Sequence, residues 1–295
     1  MKPGSFEYFA PTTLDEALEL LHEHGDEAKV LAGGQSLMPL MNLRLARPKV
    51  IVDINRLSGL DGIASIAGAG GLAIGALARQ RVVEKSALVR EQNPLLASAM
   101  PLIGHFQIRN RGTIGGSLTH ADPAAELPAL AVLLDCEFSL TRKDDVRVVA
   151  ATDFFLGYMA TAMEPGELLT EIRFPGWRPG AVWAIDEIAR RKGDFALVGV
   201  ALTAELDSSA NVQDVAIVMF GVGGKPQRID SAESMLKGRR VDQTLLRELG
   251  RLVTEELEPD SDIHASPKYR KEVGGVLARR ALESVLARSE NGASH

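Results

Sequence analysis

Apolar residues along the chain follow changing rhythms, and each rhythm predicts a different part of the architecture. Leu14, Ala17, Leu18 and Leu21 recur at helical spacing, opened by the capping-box stretch Thr13-Leu14-Asp15-Glu16 and closed by Gly25. A short strand from Lys29 to Ala32 then enters the glycine pair Gly33-Gly34. Ser36 is placed to cap a second short helix, and Val50 to Ile54 reads as a second strand after Pro48. From Ile63 to Ala78 the pattern shifts to short β segments punctuated by glycine. Arg81 to Ile103 is helical in tendency, interrupted by Asn93-Pro94 and Pro101. A second glycine-rich stretch, Arg111 to Ser117, leads to Asp122-Pro123, which predicts a helix start with Asp as cap and Pro at the first helical position. That helix is expected from Ala124 to Leu134, followed by β segments near Phe138 to Leu140, Arg147 to Ala150 and Leu168 to Phe174.

The stretch Pro175-Gly176-Trp177-Arg178-Pro179-Gly180 reads as a linker, because its prolines and glycines break both periodicities. Beyond it lie three candidate strands, Ala181 to Arg190, Ala196 to Leu206 and Val215 to Gly221, and two amphipathic helices, Gln243 to Leu257 and Pro267 to Arg288. The division expected is an α/β unit over 1–57, a second unit over 58–176, a sheet-plus-helices domain over 177–288 and a disordered tail over 289–295.

Composition narrows the function. A chain of 295 residues is too long for one ordinary core. The net charge of −6 gives no electrostatic reason to expect nucleic acid or an anionic membrane as partner. No apolar run approaches the roughly 20 residues that span a bilayer, and the start Met1-Lys2-Pro3-Gly4-Ser5-Phe6 lacks the apolar core of a signal peptide, so a cytoplasmic location is expected. The single cysteine, Cys136, can form neither an internal disulfide nor an all-cysteine iron–sulfur cluster, and it sits where a small core residue belongs. The six histidines are scattered without the i, i+4 pairing of a zinc helix, so no metal site is expected on this chain.

The candidate chemistry is concentrated in two glycine segments, Ala32-Gly33-Gly34-Gln35-Ser36 and Thr113-Ile114-Gly115-Gly116-Ser117. Glycines let a phosphate approach main-chain N–H groups without interference from a Cβ, and Ser36 and Thr113 add hydroxyls. Either segment alone reads equally well as a tight turn; together, both beside strand ends, they point to one bound pyrophosphate. Gly68-Ala69-Gly70-Gly71-Leu72-Ala73 fits a dinucleotide pattern formally, but strand-like alternation follows it, so a hairpin turn is expected. Gly223-Gly224-Lys225 is followed by Pro226 where a phosphate loop needs Ser or Thr, and is read as a turn. Asp122 and Glu126 share a helix face, where a cap and a solvated acidic first turn are favoured over an acid/base pair. His105, His120 and the cluster Arg190-Arg191-Lys192 are read as packing or surface residues. Residue chemistry alone therefore stops at an α/β protein holding a phosphate-bearing cofactor.

Longer stretches around these glycines carry a resemblance. Lys29-Val30-Leu31-Ala32-Gly33-Gly34-Gln35-Ser36-Leu37 and Ile108-Arg109-Asn110-Arg111-Gly112-Thr113-Ile114-Gly115-Gly116-Ser117-Leu118, the latter continuing through His120-Ala121-Asp122-Pro123-Ala124-Ala125-Glu126-Leu127-Pro128, resemble the FAD-binding subunits of the carbon monoxide dehydrogenase and xanthine dehydrogenase family. The likeness extends over nearly the whole chain, including Gly166-Glu167-Leu168-Leu169 and Arg190 to Ala196, and is stronger to the carbon-monoxide-dehydrogenase-like branch. It implies an α+β fold: two α/β subdomains of the vanillyl-alcohol-oxidase type clasping FAD, then a three-stranded antiparallel sheet with a helical bundle. By carry-over, Ala32, Gly33, Gly34, Gln35, Ser36 and Leu37 would wrap the pyrophosphate and ribityl chain together with Thr113, Gly115, Gly116 and Ser117. Ile103 and Gly104 would line the cofactor, Asp122 would stand beside it, Glu126 would hydrogen-bond it, and Leu168 and Phe195 would lie near the ring system. One departure is notable. Where some members place a lysine near the flavin, this chain reads Ile185-Asp186-Glu187, so either these side chains point away or the redox poise differs.

The resemblance implies an oxidoreductase component rather than a whole enzyme. Its partners would be a large molybdopterin-binding subunit and a small iron–sulfur subunit carrying the molybdenum cofactor and clusters, in a dimer of heterotrimers. Two other readings stand beside it: a stand-alone FAD-dependent oxidase or dehydrogenase of the same fold, and a nucleotide-binding or assembly module without redox activity.

Overall fold

The structure, a computed structural model, describes residues 2–68 and 70–292. The chain begins with β1 (Glu7–Phe9), α1 (Leu14–His24), β2 (Ala28–Leu31), α2 (Leu37–Asn42) and β3 (Val50–Asp53). These strands form a parallel sheet in the order β1-β3-β2. Helix α1 starts as its sequence requires: Thr13 Oγ1 accepts from the Glu16 N–H at 3.3 Å, and the Glu16 carboxylate accepts from the Thr12 N–H at 3.0 Å. Its apolar stripe, Ala17, Leu18 and Leu21, is buried with Val50, Val52, Ile54 and Leu57. The expected cap of α2 is not made. Ser36 holds the N-cap position with helical φ and ψ, a geometry in which its hydroxyl caps nothing.

The second unit runs through β4 (Ile63–Ser65), β5 (Gly71–Gly75), α3 (Gln80–Lys85), α4 (Ala87–Gln92), α5 (Pro94–Ala99), α6 (Phe106–Arg111), α7 (Ile114–His120) and α8 (Glu126–Leu133). It then continues through β6 (Glu137–Arg142), β7 (Asp145–Ala150), α9 (Ala151–Phe154), β8 (Phe155–Gly157), β9 (Ala160–Thr161) and β10 (Leu168–Pro175). An antiparallel sheet in the order β4-β5-β10-β6-β7 backs the helices. Strands β4 and β5 pair as a hairpin, so Gly70 lies in a strand connection and Gly71 opens β5, and neither belongs to a dinucleotide loop; Ala69 lies outside the described residues. The helix expected from Ala124 starts later. Asp122 Oδ1 accepts from the Ala124 N–H at 2.9 Å, which makes a turn ahead of the helix, and Ala125 takes the N-cap. Every residue of α8 is buried, Glu126 included. Cys136 packs in the same core, and burial pushes its thiol pKa well up, as befits an inert packing residue.

The C-terminal part contains β11 (Val182–Ala189), β12 (Ala196–Leu206), β13 (Val212–Phe220), β14 (Gln227–Arg228), α10 (Asp230–Leu236), α11 (Gln243–Glu256) and α12 (Pro267–Gly292). Its antiparallel sheet follows the order β11-β12-β13-β14, so the three expected strands gain a short fourth at the edge. Alternate residues sort to opposite faces. Ala184, Val198, Val200, Leu202, Ile217 and Met219 pack under the helices. Ala201, Ala216, Val218 and Phe220 instead join the core of the second unit, with Trp183 and Ile185 against it. A sheet covered on both sides explains why β12 and β13 read as nearly continuous apolar runs. Helix α12 continues past Arg288, so the tail expected to be disordered is helical as far as residue 292; residues 293–295 lie outside the described residues. No helix among the described residues is long and apolar enough to cross a membrane.

Candidate cofactor site

The two glycine segments meet. A Cβ on Gly33 would lie 2.5 Å from the Arg111 carbonyl oxygen and 2.8 Å from Gly112 Cα, so the first loop is seated directly on the backbone that leads into the second segment. Asn55 and Arg79 hold this junction. Asn55 Nδ2 donates to the Ala32 carbonyl at 2.7 Å, and Arg79 donates to Asn55 Oδ1 at 2.6 Å and to the Arg111 carbonyl. Gly34 has φ +71°, in the region glycine enters without steric cost. Among the described residues, no protein acceptor takes the N–H groups of Gly33, Gly34, Gln35 or Ser36. A run of unanswered amides beside backbone packed too closely for a Cβ fits an anionic phosphate.

The second segment differs from the expected loop. Thr113 is the N-cap of α7, its Oγ1 accepting from the Gly116 N–H at 3.0 Å, and Gly115-Gly116 form the first helical turn. The Gly115 N–H is already committed to the Ala76 carbonyl at 2.9 Å, and a Cβ there would stand 2.5 Å from that of Ala76. Gly115 is thus glycine because the helix touches the turn that follows β5, a reason that spacing alone does not reveal. Gly116 and Ser117 are partly exposed, and Gly116 faces Ala32.

Arg109 organises the next layer. Its side chain is 8% exposed, and its Nε donates to Glu84 Oε2 at 2.8 Å while one terminal nitrogen donates to the carbonyls of Ile103 and Gly104, both at 2.9 Å. The Arg109 and Arg81 guanidiniums hold the Glu84 carboxyl below the usual carboxylate range despite its burial. The turn at Gly104, with φ +50°, is thereby fixed, and Gly193 from the β11–β12 connection packs on it, leaving no room for a Cβ against His105. That connection displays Phe195, 60% exposed. Leu168 is buried in the core of the first unit with Leu77. None of Asn55, Arg79, Glu84 or Arg109 stood out as a site residue in the sequence, because each acts through a partner distant along the chain.

The acids behind this turn are unusual. Glu126, 5% exposed, has its carboxyl pKa pushed up from 4.5 to about 8, first by burial and then by the charge of Glu187. It is therefore not the solvated first-turn acid expected from its position. Glu187, on the β11 face turned toward the second unit, is raised to about 7 by burial and by neighbouring Asp186; its Oε2 is buried without a hydrogen-bond partner. Asp186 points to the opposite face, 3.5 Å from Arg280 of α12. A carboxyl held neutral in the folded chain and ionised in the unfolded one costs stability as pH rises from 4.5, and that cost is complete above about 8. Glu126→Gln should accordingly leave the Tm of the cofactor-free protein unchanged near pH 5 and raise it by several degrees at pH 8.5, read by thermal denaturation. Equal effects at both pH values would refute the burial of a titrating carboxyl.

Comparison with known proteins places this architecture. Residues 4–177 match the family described as FAD binding domain in molybdopterin dehydrogenase, and residues 183–285 match the CO dehydrogenase flavoprotein C-terminal domain. The chain belongs to the FAD-binding subunit family of the molybdenum hydroxylases. It is 37% identical to the 6-hydroxypseudooxynicotine dehydrogenase complex subunit alpha of Paenarthrobacter nicotinovorans, covering 98% of this chain and 97% of that one. It is 35% identical to the carbon monoxide dehydrogenase medium chain of Hydrogenophaga pseudoflava, over 98% and 99%. The solved carbon monoxide dehydrogenase from Hydrogenophaga pseudoflava superposes with a TM-score of 0.93 at 36% identity, again covering 98% and 99%. The chain is thus an oxidoreductase component whose own cofactor is FAD, and molybdenum and iron–sulfur centres belong to other subunits of such complexes.

Proposed function

We propose that this subunit relays electrons from iron–sulfur clusters on a small partner chain, through FAD held at the junction of the two glycine segments, to an external acceptor. The oxidation itself takes place at a molybdenum centre on a large partner chain, in a dimer of heterotrimers. Three units with boundaries near residues 57 and 176 share the work: the first two clasp the cofactor and the third covers its ring end. When bound, FAD supplies one- and two-electron chemistry. The protein's own residues position and insulate it. The amides of Gly33 to Ser36, with Leu37 beside them, face the pyrophosphate, and Thr113, Gly115, Gly116 and Ser117 form the opposing wall. Ile103, Gly104, Asp122, Glu126, Leu168 and Phe195 surround the ribityl chain and ring system. The observation that carries this reading is the run of unanswered amides locked against Arg111 and Gly112.

The names of the relatives support a relay role. Chains 35–37% identical to this one serve complexes named for carbon monoxide, caffeine and 6-hydroxypseudooxynicotine, chemically unrelated substrates that one shared subunit fold would not discriminate. Denaturing the protein purified with its partners should release one FAD per copy of this chain. A colourless preparation that binds ADP as well as FAD would favour the nucleotide-binding module, and turnover of an organic donor by the isolated chain would favour a stand-alone oxidase.

A further inference from the structure

The two glycine segments belong to different units, and few side chains join those units. Among the described residues, two side-chain hydrogen bonds cross from residues 2–57 to residues 58–176. One, Lys143 to Glu19, links exposed side chains away from the glycines. The other, Arg79 to Asn55 Oδ1 at 2.6 Å, lies at the junction itself.

In the first unit, this bond ends a longer chain of contacts. Tyr8, 54% exposed on the edge strand β1, stands beside Ile51 of β3, and its hydroxyl donates to Asp53 Oδ2 at 2.6 Å. Asp53 Oδ1 accepts from the Asn55 N–H at 2.9 Å and from Asn55 Nδ2 at 2.6 Å, a local turn that fixes the amide. Nδ2 also donates to the Ala32 carbonyl, so both of its hydrogens are used and Oδ1 is left for Arg79. These contacts gather at the carboxyl ends of the parallel strands β2 and β3, the end of such a sheet where ligands bind.

In the second unit, Arg79 is fixed just as firmly. Its backbone pairs with Thr113, the Ile114 N–H donates to the Ala78 carbonyl at 3.0 Å, and the Gln80 N–H donates to the Gly112 carbonyl at 2.9 Å. The buried Gln80 side chain is pressed on Gly112, where a Cβ would stand 2.6 Å from its Oε1. Among the described residues, no carboxylate pairs with the Arg79 guanidinium; its acceptors are Asn55 Oδ1 and the Arg111 carbonyl. One planar fork thus spans acceptors on two units, a task that the point charge of a lysine does not match.

We propose that Tyr8, Asp53, Asn55 and Arg79 form a hydrogen-bonded strap that sets the spacing of the two glycine segments and thereby the affinity for FAD. The inference rests on the reading that FAD binds at this junction. The strap ends on the Ala32 and Arg111 carbonyls, and both flank Gly33: Ala32 precedes it in the chain, and the Arg111 oxygen is the atom on which it is seated. Loosening either bond lets the segments part, and the unanswered amides of Gly33 to Ser36 lose their fixed distance from the opposing wall. All four are positioning residues, acting through the backbone of the segments.

The test is the FAD dissociation constant of the full-length chain, stripped of flavin and titrated by fluorescence. Asn55→Leu keeps the side chain's size and removes its bonds, Arg79→Lys keeps the charge and loses the fork, and Tyr8→Phe removes only an exposed hydroxyl. Asn55→Leu and Arg79→Lys should each weaken FAD roughly tenfold, and the double variant no further, because one break already opens the strap. Tyr8→Phe should weaken FAD by a smaller factor alone and add nothing to Arg79→Lys, a comparison that decides the matter even if Asn55→Leu does not fold. Normal binding by Arg79→Lys, or losses that multiply to roughly a hundredfold in the double variant as independent structural effects would, overturns the inference and leaves the cofactor reading intact. An unsubstituted chain that fails to bind FAD, measured first, overturns that reading itself.

Discussion

Replacing Arg109 with methionine is expected to destabilise the folded chain by about 3–5 kcal/mol, the range for stripping one partner from a buried ion pair. Arginine here does two things at once. Its guanidinium neutralises Glu84, itself only 14% exposed, and closes the backbone turn by bonding the Ile103 and Gly104 carbonyls. Methionine matches much of the length and none of the donors. It leaves Glu84 with Arg81 alone, at 2.6 Å, and orphans two carbonyls. The Gly104 turn is the platform on which Gly193 and the Phe195 connection rest, so FAD content should fall along with stability. Denaturant titration of the cofactor-free protein measures the first effect, and flavin absorption per chain the second. Pairing the change with Glu84→Leu should restore part of the lost stability, because the uncompensated charge is then removed as well. A single variant with an unaltered denaturation midpoint would show that the buried fork contributes nothing net.

Gly33→Ala should produce the largest loss of cofactor for the smallest change in the chain. The added carbon would meet the Arg111 carbonyl and Gly112 Cα, and neither is free to retreat. Arg79 grips the Arg111 carbonyl, the Gly112 N–H is bonded to the Ile108 carbonyl at 2.7 Å, and the Gly112 carbonyl accepts from the Gln80 N–H at 2.9 Å. The strain therefore has to move the first loop, at about 1–3 kcal/mol for overpacking of this kind, and with it the unanswered amides. FAD affinity should drop at least tenfold while the Tm falls by only a few degrees. Gly4→Ala, which meets nothing within 4 Å, is the matched control and should bind FAD normally. Tight FAD binding by the Gly33 variant would mean that the loop is not seated as described.

Much of the fold was legible in the sequence because it depends on local periodicity. The stripe Ala17-Leu18-Leu21 sufficed for α1, and the Thr13 cap marked its start. Short apolar runs bounded by turn residues marked β6, β7, β10 and the first three C-terminal strands, and Cys136 was recognisably a core residue. Legibility failed where a local signal competed with a tertiary one. Asp122-Pro123 looked like a helix start, yet the Asp side chain closed a separate turn and α8 began at Glu126. Ser36 had the chemistry of a cap but not the backbone geometry.

By itself, then, the sequence determined most of the longer helices and strands, that glycines punctuate two segments beside strand ends, and, through resemblance, that FAD is the ligand. Only the tertiary structure decided that these glycines differ in purpose, Gly33 admitting the Arg111-Gly112 backbone and Gly115 admitting the turn after β5. It alone revealed the clamps made by Asn55, Arg79 and Arg109, and turned Glu126 from a solvated acid into a buried one. The physical reason is range. Helix and strand propensity are set within a few residues. Desolvation, charge coupling and backbone contact depend on groups that the fold brings together from far along the chain.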